Sequence, residues 1–276
     1  MRIAQIVLAG ATEFERKLQR VDFAALSLHH EVTVADTPEA ANSASVAHVY
    51  GPSPIPQRAL AGLKVPYVAS ADVHRTRFMF RPIEPPRYVL SPLAPADPQS
   101  RTQLVPEAVE ESYFDIRAAR VATDASRIVG TYRGSRPGVG NAVEQAISRI
   151  QRFREDITWT LFDQPPSPHD LAGVDAWADP AATEDDWDGF VAEAVAAGKP
   201  VVATRITMNG VRLEKGRTGS LVPLSDPNEL AHAILGVLFK PEVARLKIEA
   251  AKQTAGKFRP RQRLRVLERI YEAVTE

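Results

Sequence analysis

The sequence predicts an α/β protein made of two consecutive units, each with a parallel sheet. Short apolar runs rich in β-branched residues alternate with segments of helical spacing, the pattern of βαβ units. A proline-rich stretch around residues 81–98 breaks that alternation, which restarts after Phe114. The chain has 276 residues, 44% of them apolar, enough for two ordinary domains with cores of their own.

Residues 3–10 are a short apolar run closed by Gly10, as in strands covered on both faces. Residues 13–28 carry Phe14, Leu18, Val21, Ala25 and Leu28 at helical spacing. Further strands are predicted at 31–36, 45–51 and 65–70, with a short helix over 56–63 and a short strand at 88–90. Beyond the break come a strand at 126–130, an amphipathic helix over 139–153 and a strand at 157–162. A Pro-rich loop over 164–168, a strand at 174–177 and a helix over 187–197 follow. Strands at 200–204 and 219–223 and helices over 229–238, 242–255 and 261–274 complete the chain. Trp159 and Trp177, at strand positions, read as core residues.

Lys plus Arg and Asp plus Glu both total 34, so the net charge is zero. That argues against nucleic-acid binding by overall positive charge. With no Cys there are no disulfides, thiolate zinc sites, iron–sulfur clusters or Cys nucleophiles, which fits a reducing compartment. The longest apolar runs, about eight residues, fall far short of the roughly 20 a spanning helix needs. Met1-Arg2 leads straight into a strand with no signal peptide, so a cytoplasmic protein is expected. P-loop, Gly-x-Ser-x-Gly and Gly-x-Gly-x-x-Gly motifs are missing, which disfavours P-loop ATPases, α/β-hydrolases and dinucleotide oxidoreductases. His29-His30 suits a helix C-terminus and has no third ligand at useful spacing, so no metal site is expected.

Ligands of parallel sheets bind at strand carboxyl ends, often with phosphates at helix N-termini. The second unit has the more informative residues there. Asp185 and Glu193 stand eight positions apart, and the helix beginning between them ends at Gly198, before Lys199-Pro200-Val201-Val202-Ala203. In isolation this pair also reads as two solvated charges at a helix start, where acids favour the macrodipole. Gly216-Arg217-Thr218-Gly219-Ser220-Leu221-Val222-Pro223 turns into a strand, and Asp226 is placed to cap the next helix.

These motifs, with Leu104-Val105-Pro106-Glu107-Ala108-Val109 upstream, Gly138-Val139 leading to Glu144, and the segment from Phe258 to Tyr271, resemble the group 1 family of GT-B glycosyltransferases. The resemblance covers residues from about 100 to 276 and reaches the first hundred through strand order alone. It implies two Rossmann-like domains facing across a cleft: an acceptor-side domain over 1–108 and a donor-binding domain over 109–258. A terminal helix over 259–276 would cross back to the first domain. The implied activity is transfer of a hexose from a UDP- or GDP-sugar to an acceptor hydroxyl with retention, without metal or other cofactor. A noncatalytic relative that binds nucleotide or glycan, or scaffolds an assembly, is the alternative.

By the same resemblance Glu193 would hold the donor ribose and Asp185 the sugar hydroxyls, ionised carboxylates being strong acceptors. The family sets an Arg and a Lys beside the diphosphate after a glycine such as Gly130, where they stabilise the leaving group. Here Thr131 takes the Arg position, and Arg133 and Arg136 are the nearest cations. Gly10 stands where the first domain often has a Gly-Gly pair, and His74 where a His often faces the transferred sugar. Asp188 replaces a Gly, and the family's Gly-Gly-x-Pro-Glu turn reads Thr207-Met208-Asn209-Gly210-Val211. The acceptor is a glycan, a lipid-linked or a small molecule. Residues 75–81 interleave arginines with Phe78, Met79 and Phe80, which suits either peripheral membrane contact or a buried loop.

Overall fold

The apolar run at the start of the chain becomes β1 (Arg2–Val7), with Ile3, Ala4 and Ile6 buried. The structure is a computed structural model that describes residues 1–52, 55–70, 88–93, 102–116, 126–134, 136, 138–224 and 226–276. α1 (Glu13–Leu26) begins at a capping box: the Glu15 amide donates to Thr12 Oγ1 at 3.5 Å, and the Thr12 amide to Glu15 Oε2 at 2.6 Å. β2 (Glu31–Val34), β3 (Val46–Tyr50), β4 (Tyr67–Ser70), β5 (Tyr88–Ser91) and β6 (Thr102–Leu104) complete a parallel sheet in the order β2-β1-β3-β4-β5-β6. β6 is a half-exposed edge strand, so it needs no apolar run and left none in the sequence. The helix expected over 56–63 is only a 3-10 turn at Gln57–Leu60.

A second parallel sheet holds β7 (Arg127–Tyr132), β8 (Ile157–Phe162), β9 (Ala176–Asp179), β10 (Val201–Thr204) and β11 (Ser220–Val222), in the order β11-β10-β9-β7-β8. Between these strands run α2 (Val139–Gln151), α3 (Pro168–Ala172), α4 (Val191–Ala196) and α5 (Thr207–Arg212). The chain goes on through α6 (Pro227–Phe239), α7 (Pro241–Thr254) and α8 (Pro260–Thr275). Val143, Ile147 and Ile150 of α2 and Ile234 and Val237 of α6 form one core with Val129 and Val202. α3 was hidden by its proline-rich setting, yet Pro168 stands at a first-turn position that tolerates it, and Ser167 and Asp170 make a capping box.

The chain divides into a unit of Met1–Ala108 with Lys257–Glu276 and a unit of Val109–Gly256. Within the first, α8 packs Leu267, Ile270, Tyr271 and Val274 onto Ile3, Val46, Val68 and Leu90. In each sheet the first strand lies between the second and third, so strand order reverses between β1 and β3 and again between β7 and β9. Such reversals open a crevice outside the strand carboxyl ends, where open sheets of this class take their ligands.

Candidate functional site

Two segments frame the crevice of the second sheet, one following β7 and one following β9. After β7, Arg133 is exposed, with Nη2 2.5 Å from Asp163 Oδ1. Arg136, three residues on, is buried. Its Nη1 lies 2.7 Å from Asp179 Oδ1 and 3.1 Å from Asp186 Oδ1, and its Nη2 donates to the Tyr132 carbonyl. Arg136 Nε is buried with no hydrogen-bond partner among the described residues. Gly138, at φ +79°, turns the chain into α2.

The segment after β9 is drawn down onto Asp179, the wholly buried last residue of that strand. Gly189 passes so close that a Cβ there would lie 2.1 Å from Asp179 Oδ1, so the position requires glycine. Trp177 Nε1 donates to the Gly189 carbonyl at 3.0 Å, Arg212 Nη2 to the Trp187 carbonyl at 2.9 Å, and the Ala182 amide to Asp186 Oδ2 at 3.2 Å. Asn209 Nδ2 reaches Asp179 Oδ2 and the Thr204 carbonyl, each at 3.1 Å. These constraints delay α4: Phe190 adopts φ +51° and packs edge-to-face on Tyr132, so the helix expected from 187 starts at Val191. Glu193 falls in the first turn of α4 and is 2% exposed, while Asp185 is exposed on the loop.

Two carboxylates thus share one guanidinium. Burial pushes the Asp186 carboxyl above its usual range, Arg136 pulls it back, and neighbouring Asp179 adds to the upward push. For Arg136, burial opposes the charge and the two carboxylates sustain it, leaving it above its ordinary value.

Thr207-Met208-Asn209-Gly210-Val211 is helix here rather than a glycine-rich turn. It opens α5, whose Thr207 amide and hydroxyl donate to Glu184 Oε2 at 2.8 and 3.1 Å. A cavity of about 240 Å³ lies at the carboxyl ends of β9 to β11, lined by Gly138, Asn141, Pro180, Ala181, Thr204 and Asp226. A wider one of about 700 Å³ is lined by Glu184, Arg205, Thr207, Lys215 and Lys247 among others.

Of the residues singled out in the sequence, Arg133, Arg136, Asp185 and Glu193 therefore belong to the two segments at the β7/β9 reversal. Gly10 lies at the corresponding β1/β3 reversal of the first unit, at φ +85°. His74 and the segment 75–81 fall outside the described residues. Trp177 is wholly buried and Trp159 partly so. His30 Nε2 sits 3.2 Å from Glu268 Oε1, and among the described residues no cluster of three or more His, Asp or Glu could hold a metal. Sequence reasoning missed Asp179, Asp186, Asn209 and Arg212. The available signal was Asp179 itself, a carboxylate closing an otherwise apolar strand. Among the described residues no helix is long and apolar enough to cross a membrane.

Residues 116–239 match the model of group 1 glycosyl transferases. D-inositol 3-phosphate glycosyltransferase of Corynebacterium jeikeium (strain K411) is 34% identical over 146 residues, which is 50% of this chain and 34% of that protein. The chain thus matches about a third of its relative's length. Among solved structures, Anabaena Alr3699/HepE in complex with UDP and glucose superposes with a TM-score of 0.72 at 14% identity, over 99% of this chain and 100% of the other. Sucrose-phosphate synthase (tll1590) from Thermosynechococcus elongatus gives 0.71 at 14% identity, over 99% and 98%. The two parallel-sheet units have the GT-B glycosyltransferase fold.

Proposed function

We propose that this chain transfers a hexose from a UDP- or GDP-sugar to an acceptor hydroxyl with retention, a reading supported by the match of residues 116–239 to the model of group 1 glycosyl transferases. The observation that carries the reading is Glu193: the matched segment contains it, and its carboxylate is held at 2% exposure in the first turn of α4, beside the β7/β9 reversal. A carboxylate screened from bulk water is a strong acceptor for the paired hydroxyls of a ribose.

In this reading Asp185, exposed at the rim, accepts from the hydroxyls of the transferred sugar. Arg133 at the end of β7 meets the diphosphate, and its charge stabilises the leaving nucleotide without calling on a metal, while Arg136 stands behind it, paired with Asp179 and Asp186. Gly10, at φ +85° after β1, remains the first unit's candidate contact for ligand, and His74, proposed for the transferred sugar, lies outside the described residues. The acceptor is a glycan, a lipid-linked or a small molecule. In complexes with UDP and with UDP-glucose, HepE offers a precedent for such a donor on this fold.

A noncatalytic nucleotide binder is the second reading, favoured by Glu184 occupying the first amide of α5 and by Thr131 in place of an Arg. Thermal shift with UDP, GDP and ADP, followed by assay of donor hydrolysis, separates the two. At a hundred times its dissociation constant a nucleotide adds about 2.7 kcal/mol to stability. Stabilisation with turnover supports the transferase, stabilisation without it selects the noncatalytic protein, and no shift with any nucleotide contradicts both.

A further inference from the structure

We propose that Asp179 and Asp186, acting through Arg136, are positioning residues: they clamp the loop 180–190 and so set Asp185 and the first turn of α4 for the donor. The inference rests on the donor-site reading above and deepens it, because it assigns Arg136 to the loop and leaves the diphosphate to Arg133.

The geometry of Arg136 makes the case. Nη1 is shared between Asp179 and Asp186, Nη2 is taken by the Tyr132 carbonyl, and Nε is buried beyond the reach of solvent. Turning this guanidinium toward a diphosphate would leave two carboxylates close together in a buried site without their cation, an arrangement that desolvation and repulsion both oppose. A guanidinium already paired with two carboxylates has little charge left to offer an anionic diphosphate. Arg133 is under no such constraint: among the described residues it pairs with Asp163 at an exposed position.

The clamp bears on the loop directly. Asp179 meets Arg136 from the β7–α2 segment, Asn209 from α5, and the backbone of Gly189 from the loop. Asp186 adds a second tie, to Arg136 through one oxygen and to the Ala182 amide through the other. Phe190, four residues further along, is fixed in the left-handed region and starts the helix that carries Glu193. A shift of the loop therefore moves both acids that the donor is expected to meet.

The test uses the full chain with Asp186→Asn, Arg136→Met, Arg136→Lys and the Asp186→Asn/Arg136→Met double variant. Hydrogen exchange is first followed without nucleotide. Affinities for UDP, UMP, GDP and GMP are then measured by calorimetry, and kcat and KM for UDP-glucose and GDP-glucose hydrolysis are determined. The clamp predicts exchange at residues 182–193 faster by about tenfold or more in every variant, with β1 to β5 unchanged. It predicts kcat lower by up to on the order of 100-fold, no rescue by Lys, and a double variant no worse than its worse parent. The preference for nucleoside diphosphate over monophosphate stays at the wild-type value. Unchanged exchange would overturn the proposal. So would a diphosphate preference lost in Arg136→Met and restored by Lys, which would make Arg136 a diphosphate contact. If Arg136→Met does not fold, Asp186→Asn and Arg136→Lys carry the same comparison. A wild type that neither binds nor hydrolyses any of these nucleotides overturns the donor reading; with it, faster exchange in the variants shows that the loop clamp stands without a donor, and unchanged exchange overturns the clamp as well.

Discussion

Each unit buries an arginine against carboxylate, and the two clusters are built differently. In the first unit Arg263 of α8 meets a single carboxylate in a matched fork, Nε to Asp22 Oδ1 at 2.6 Å and Nη2 to Asp22 Oδ2 at 2.9 Å. Nη1 donates to the Pro106 carbonyl at 3.0 Å, and the Tyr50 hydroxyl donates to Asp22 Oδ2 at 2.8 Å. His48 extends the network to Tyr271 and Ser70. Charge balances one to one, and the cluster ties α8 to α1 and the sheet. In the second unit two carboxylates share one nitrogen of Arg136, at the strand ends where ligands bind. A balanced network placed between sheet and helices is what fold integrity requires. An unbalanced one at the crevice is better suited to holding a functional loop.

The sharpest way to break this contrast is Arg263→Met, which strands Asp22 in the interior. Loss of one partner of a buried pair costs about 3–5 kcal/mol, so urea unfolding of the first unit should shift by that order. A shift below about 1 kcal/mol would mean that the balanced network does not hold the unit together. Gly189→Ala comes next, since its Cβ would collide with the Asp179 carboxylate. Overpacking of this kind costs about 1–3 kcal/mol, and donor hydrolysis should fall further than stability because the loop itself moves. Equal, small effects on both would separate the loop from the chemistry.

The pH response distinguishes the clusters more gently. Burial, and then the charge of Arg263, holds His48 well below its ordinary value of 6.5. The unfolded chain therefore takes up a proton that the folded one refuses, and stability contributed by neutral His48 is present above pH 6.5 and declines as pH falls below it. The slope approaches about 1.4 kcal/mol per pH unit until the folded-state value is reached. His48→Gln should flatten the acid limb of the first unit's stability curve; an unaltered limb would show that another group titrates. The smallest effect is expected from Thr12→Ala, which removes the cap of α1 at about 1 kcal/mol and should leave donor binding untouched.

Much of the strand framework could be read in advance because buried parallel strands leave continuous apolar runs; Val201–Thr204, buried at every position, is one such case. β6 left no such trace, being a short edge strand. Glu193 and Asp185 are singled out by the resemblance to the group 1 motif, since their spacing alone also reads as two solvated charges at a helix start. Asp179, Asp186, Asn209 and Arg136 were not legible as a group, for their union depends on the β7/β9 reversal bringing distant segments together. Phe190 shows the same limit: nothing local predicts a left-handed phenylalanine, and tertiary packing on Tyr132 imposes it.

The donor site stands or falls with the Glu193 carboxylate taking the ribose of a sugar-nucleotide. A crystal structure of the chain soaked with UDP, or with GDP where UDP gives no thermal shift, tests it most directly. Both ribose hydroxyls are expected within hydrogen-bond distance of Glu193, with the diphosphate beside Arg133. A nucleotide seated elsewhere, or a ribose held without that carboxylate, would contradict it.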